Sequence, residues 1–209
     1  MMRQFLFSLY KLGYTYIFDY VVRNLFAVNH YYVLYLHLYF MKRPTHSRLS
    51  YQLRTADDSD FESLMDQLPQ FDLNTRKELL ARLFFHQAGF QHCFLAKLPN
   101  GQTTYMQWLI YPEENEVIAN HFTRQFYPLR PGQVMLENAF TFPRFRGMGL
   151  LPAVSAQLLI LARDQGYKDA IVYIKKNQIA SLNEFIKLGF TIRKMVREYK
   201  ILGITKRML

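Results

Sequence analysis

The run "FTFPRFRGMGLLPAVSAQLLILARDQGY" places Arg144, Arg146, Gly147, Met148, Gly149 and Leu150 between a strand-like stretch and a helix-like one. Such a junction suits an anion. Where a helix begins, several amide N–H groups lack an intrahelical acceptor and the helix dipole is positive. Gly147 and Gly149 permit a tight turn and let a ligand approach the backbone, while the two guanidinium groups add charge beside it. Pro152 falls in the first helical turn, where its missing N–H costs no internal hydrogen bond. The chemistry indicated is pyrophosphate binding. A Walker loop would need Lys and then Ser or Thr after the last glycine, but Leu150 and Leu151 stand there. A dinucleotide fingerprint needs three spaced glycines early in a βαβ unit, and this run does not supply them.

Charge points to the same region. Of 26 basic and 16 acidic side chains in the chain, residues 144–209 hold 13 and 4. A small polyanion would dock in and after the junction, and since no DNA- or RNA-binding module accompanies the charge, no nucleic-acid partner is expected. The lone Cys93 excludes a disulfide framework within the chain and reads as a small core hydrophobe. His86, His92 and His121 lack the spacing of a ligand set, so no metal is expected.

The elements that must position the junction follow from periodicity. "YQLRTA" reads as a strand, and a helix follows it with Asp57 or Asp58 as N-cap. A second helix starts near Asn74, where Thr75 and Glu78 have capping-box spacing, and ends at Gly89. "CFLAKLPNGQTTYMQWLIYP" is a hairpin turning at Asn100 and Gly101. Residues 113–132 read as a short helix and a loop over a binding face. "QVMLENAFTF" is a strand, "DAIVYIK" a buried strand after the long helix, "SLNEFIKLG" a helix, and the C-terminus one or two strands. This order predicts a mixed α/β sheet with helices on both faces.

Residues 1–45 read as an extension and 46–209 as the main domain, with the polar, basic stretch 42–50 as a linker. The extension is crowded with Tyr, Phe and Leu, and reads as an amphipathic helix over 3–24 followed by a strand at "YYVLYLHLYF". Residues 24–41 carry no formal charge, but their tyrosines, histidines and asparagines make poor hydrocarbon-core material. Packing on the domain or on a second subunit, which would make a homodimer, is the first expectation for this segment, and contact with a membrane surface the second.

"FPRFRGMGLLPAVSAQLLILARDQGYKDAIVYI" resembles the coenzyme A-binding core of the GNAT N-acetyltransferase superfamily, and "KKNQIASLNEFIKLGF" is similar to that family's Asn-x-x-Ser or Asn-x-x-Ala helix ending in Lys-x-Gly-Phe. The resemblance covers roughly residues 50–205 and is most specific over 134–190. Its flavour is that of a bacterial subgroup with an N-terminal helix and strand, often found among surface-polysaccharide genes. It implies a GNAT-like acyl-CoA N-acyltransferase fold and a cytoplasmic enzyme, with contact to the inner membrane as a further expectation. Acetyl-CoA would be cosubstrate, and an amine, such as that of an amino sugar, the acceptor.

On that resemblance, the amides from Arg146 to Leu150 cradle the pyrophosphate with Arg144 beside them, and Phe140, Thr141 and Phe142 pair by backbone with the pantetheine arm. Asn177 lies near that arm, although counting back from Gly189 and Phe190 puts the family's Asn position on Gln178. Glu137 matches a frequent general-base position, with Asn138 expected on the other face of the strand. Phe185 occupies the position of the family's acidic Tyr, which leaves Ser181, Tyr173 or water to protonate the thiolate, or the thiolate to leave unaided. These departures keep open a second reading, a catalytically degenerate module of the same fold that binds a partner or a membrane surface.

Overall fold

The computed structural model describes residues 26–42, 46–122, 125–201 and 204–208. The helix expected over 3–24 lies outside them. The strands are β1 (Phe26–His37), β2 (Gln52–Thr55), β3 (Cys93–Lys97), β4 (Thr103–Ile110), β5 (Gln133–Thr141), β6 (Asp169–Lys175), β7 (Thr191–Ile201) and β8 (Ile204–Met208). They form one sheet in the order β2-β3-β4-β5-β6-β1-β7-β8. The helices are α1 (Asp58–Gln67), α2 (Leu73–Gln87), α3 (Leu150–Asp164) and α4 (Ile179–Lys187), with short helical turns over 112–122.

Local chemistry sets the helix starts. Asp57 caps α1 through a reciprocal capping box with Asp60. The second helix starts before the expected Thr75: Asp72 accepts from the amides of Asn74 and Thr75 and from the Thr75 hydroxyl, and so captures the helix end itself. Helices cover both faces of the sheet. Trp108 of β4 is fully buried against Phe61 of α1 and Phe85 of α2, while its neighbour Gln107 accepts from Ser155 of α3. Adjacent strand residues point to opposite faces, so α1 and α2 lie on one side and α3 on the other.

The first strand is not at an edge. β1 runs antiparallel to both β6 and β7, from Tyr31 opposite Lys175 to His37 opposite Asp169 on one side and from Phe26 opposite Ile201 to Tyr35 opposite Thr191 on the other. Val33, Leu34 and Leu36 are buried there. It starts earlier than the expected run, and Leu38–Phe40 turn as a 3-10 helix after it. Over its described residues, the expected N-terminal extension is therefore an interior strand of the sheet that carries the glycine junction. The segment around residues 46–49, expected as a linker, packs on that junction: the Arg48 amide and the Ser47 hydroxyl both donate to the Met148 carbonyl. No helix among the described residues is long and apolar enough to cross a membrane.

Candidate active site

Two strand irregularities open the sheet at one place. β5 and β6 are parallel and pair only from Gln133–Leu136 to Asp169–Val172, although β5 runs on to Thr141 and β6 to Lys175. Beyond Leu136 they part. On the other edge of β5 the register with β4 shifts between Met106 and Trp108, and Asn138 takes a φ of 54°, in the left-handed region. Period-two alternation breaks at this bulge. Glu137 and Asn138 therefore both line the cavity at the fork, instead of facing opposite ways as a regular strand would require.

Arg82 of α2 braces the bulge. Its guanidinium donates to the carbonyls of Asn138 (3.2 Å) and Ala139 (2.8 Å) and lies over the Phe140 ring at 4.7 Å. Burial lowers its pKa to about 10, which leaves it charged at neutral pH.

The cavity has a volume of about 400 Å³ and passes from α3 and α4 on one side to Tyr31, Phe126, Glu198 and Arg207 on the other. Glu137 sits within it. Its Oε2 is shut off from solvent and has no hydrogen-bond partner among the described residues. Burial pushes its pKa up to about 7, against the opposing pull of Arg207, the Asn138 amide and Arg82; the Glu198 charge adds to the rise. A carboxyl group that is half ionised near neutrality, has one oxygen without a partner and lines a cavity is equipped to take a proton.

The glycine junction begins where β5 ends. Pro143–Phe145 form a 3-10 turn, and Gly147 and Gly149 have φ of 78° and 77°. Among the described residues, the amides of Gly147, Gly149, Leu150 and Leu151 donate to no backbone carbonyl. Gly149 caps α3 without any side-chain bond, so this helix end is open to an outside acceptor. Arg144 and Arg146 are exposed beside it. Around Gly147 a Cβ would meet open space, whereas at Gly149 it would stand 3.2 Å from the His46 carbonyl oxygen.

The remaining expected residues divide. Phe140 and Phe142 are buried and Thr141 half-buried; Met106 pairs with Phe140, Tyr105 with Thr141, and the Phe142 amide donates to Thr104. The β6-facing edge of these residues has no strand partner. Ser181, Tyr173 and Phe185 line the cavity, as does Gln178, while Asn177 is exposed and outside its lining. Burial raises the Tyr173 phenol to about 12, and its oxygen accepts from the Tyr127 amide. Sequence reasoning missed Arg82, Tyr31, Glu198 and Arg207, which reach the cavity from four separate elements and carry no local pattern.

No protein-family model matches the sequence, and no curated protein matches it. Solved structures do. A GCN5-related glucosamine N-acetyltransferase region of a fungal multi-domain GH3 β-N-acetylglucosaminidase superposes with a TM-score of 0.63 at 13% identity over 93% of this chain. A GNAT-family acetyltransferase from Colwellia psychrerythraea gives 0.53 at 15% over 84%, and an acetyltransferase described as of the GNAT family from Novosphingobium aromaticivorans 0.51 at 11% over 82%. The fold is that of the GNAT N-acyltransferases. This chain spans 23% of the fungal protein, 57% of the Colwellia protein and 63% of the Novosphingobium protein. The fork, the bulge and the glycine junction follow one another along β5 and into α3.

Proposed function

We propose that the protein is an acyl-CoA-dependent N-acyltransferase that uses acetyl-CoA, or another acyl-CoA, to acylate a primary amine on an amino sugar or other small molecule. The observation that carries the reading is Glu137: a buried carboxyl group, raised to about 7, at the fork, with one oxygen that has no hydrogen-bond partner among the described residues. The residues present fit the cosubstrate. Four free amides and two arginines suit its pyrophosphate, and the unpaired edge of β5 beyond Leu136 suits its amide-bearing arm.

Bound acyl-CoA would supply a thioester, whose carbonyl carbon forms a bond to the amine nitrogen while its bond to sulfur breaks. The protein's part is to hold and to move protons. Of the amides expected from Arg146 to Leu150, those of Arg146 and Met148 are taken by the Pro143 and Phe145 carbonyls, so the free amides of Gly147, Gly149, Leu150 and Leu151, with the side chains of Arg144 and Arg146, would hold the phosphate end at the α3 N-terminus, and Phe140, Thr141 and Phe142 would lie along the arm. Glu137 receives the proton lost by the amine. Ser181, half-buried in the cavity wall, would relay a proton to the leaving sulfur, since Phe185 has none to give. Gln178, not Asn177, is the amide side chain within reach of the cavity.

Acetyl-CoA, longer acyl-CoAs and free CoA are each expected to raise the melting temperature, with a stabilisation of about 2.7 kcal/mol at a hundred times the dissociation constant. Thiol release with an amine panel then tests turnover. A folded sample with no shift from any of them overturns the reading, and binding without thiol release for any amine leaves the degenerate module. The glycines separate binding from folding. Gly147→Val should lose the acetyl-CoA shift and melt lower by about 1–2 kcal/mol, because its φ of 78° strains any L side chain even though the Cβ meets no protein atom. Gly149→Val should melt lower still, because to the same strain at φ 77° it adds a Cβ that stands 3.2 Å from the His46 carbonyl oxygen. Equal acetyl-CoA shifts in Gly147→Val and wild type would remove the junction as the phosphate site.

A further inference from the structure

The end of the cavity away from the glycine junction is closed by an ion pair that no sequence pattern announces. β8 is an edge strand, joined to the sheet only through β7. An edge strand has solvent available, yet Arg207 turns inward. Its guanidinium carbon lies 4.0 Å from the centre of the Tyr31 ring, 5.2 Å from that of Tyr173 and 5.3 Å from that of Phe126. Its Nε donates to Glu198 Oε2 at 3.0 Å and its Nη1 to the Gln125 carbonyl at 2.8 Å. The other Glu198 oxygen accepts from Asn29 Nδ2 at 3.1 Å and lies 3.5 Å from the Tyr31 hydroxyl. Both side chains are almost wholly buried, 8% and 3% exposed.

Taking two charges out of water is costly, and a pair of apolar residues would hold a hairpin to a sheet at least as well. Position gives the pair a use. Arg207, Glu198, Tyr31 and Tyr173 line the same cavity as Glu137. We propose that Arg207 is a positioning residue of the active site, delivered by the last strand, which sets the charge balance around Glu137 through its ion pair with Glu198 and walls the acceptor end with the three rings it stacks against. The proposal rests on Glu137 being the base.

The charged and titratable groups facing Glu137 are Arg82 from α2, Tyr31 from β1, Tyr173 and Lys175 from β6, Glu198 from β7 and Arg207 from β8. Of these, Arg207 is the strongest influence favouring the carboxylate, and Glu198 opposes it. Arg82 is committed to the bulge carbonyls, so the balance can be altered at the Arg207 pair without disturbing the fork.

The two partners therefore predict opposite signs. In full-length protein labelled with 13C at glutamate carboxyl groups, the Glu137 signal, assigned by its loss in Glu137→Gln, should titrate with a midpoint raised by about one pH unit in Arg207→Met and lowered by a similar amount in Glu198→Gln. Arg207→Lys, which keeps the charge, should lie near wild type. The acid limb of kcat/KM should move in the same directions. A pair that only holds the hairpin down would lower the melting temperature in both variants and give no opposed shifts. An unmoved Glu137 midpoint in folded Arg207→Met overturns the proposal, and so does an unmoved or raised midpoint in Glu198→Gln, which decides the matter if Arg207→Met fails to fold. If the carboxyl midpoint moves as expected while the rate profile does not, Glu137 is not the base and the positioning role of Arg207 falls with it.

Discussion

Glu137→Gln is expected to lower kcat by about 10²- to 10⁴-fold, the range over which a positioned general base acts, while the thermal shift produced by acetyl-CoA stays close to wild type. Glutamine keeps the shape of the side chain and cannot accept a proton. In the wild type, kcat/KM should fall as pH drops through about 7, because the protonated carboxyl group is no longer a base. In Glu137→Gln this acid limb should vanish together with most of the rate. A variant with full activity and an unchanged limb would take the base role from Glu137.

Glu137 should also leave a mark on stability that is independent of turnover. Its folded pKa, about 7, lies above the ordinary value of 4.5. The folded state therefore binds its proton more tightly than the unfolded chain does. The stability this contributes is full below about 4.5 and is lost as pH rises to about 7, on the order of 3 kcal/mol over that window. Glu137→Gln removes the dependence and should melt higher than wild type at pH 8. Urea melts at pH 5 and pH 8 compare the two directly; a wild type whose Glu137 contribution shows no fall with pH would mean that the carboxylate is solvated. Under the proposed function, such a cost is what is expected where activity needs a destabilised group.

What the sequence disclosed was what lies along one continuous stretch. The glycine junction, the helix after it and the strand "DAIVYIK" were legible because turn, capping and periodicity are local properties, and they occupy neighbouring positions in the chain. Glu137 was legible as a carboxylate in an otherwise apolar strand. Asn138 was not, because a bulge is an agreement between two strands: with the shift against β4 at Met106 and Trp108, both residues border one cavity. The same limit hid Arg82, whose partners are two carbonyls more than fifty positions away, and Arg207, whose meaning depends on rings from β1 and β6. The start of α2 failed for a different reason. Thr75 and Glu78 have capping spacing, but Asp72 offers a carboxylate to the Asn74 and Thr75 amides and so starts the helix one turn earlier.

Removing residues 1–37 is expected to abolish soluble, cooperatively folded protein, because the strand lost is an interior one. Without β1, β6 and β7 lose the partner that joins them, and two rows of backbone donors and acceptors in the middle of the sheet have none. Leu34 is fully buried and Leu36 and Val33 nearly so, and their loss opens the core between the sheet and its helices. The damage reaches the site directly. Tyr31 and Asn29 leave Glu198 with Arg207 alone, and the cavity loses one of its walls. The milder Leu34→Ala should cost about 2–5 kcal/mol and remain measurable in a urea melt. Expression of the truncated chain as a soluble protein with a single sharp melt and an acetyl-CoA shift would show that β6 and β7 can close on each other without it. If instead only aggregate is recovered, the aromatic N-terminal strand belongs to the same folding unit as the glycine junction, since the sheet that parts between β5 and β6 continues on both sides of the split.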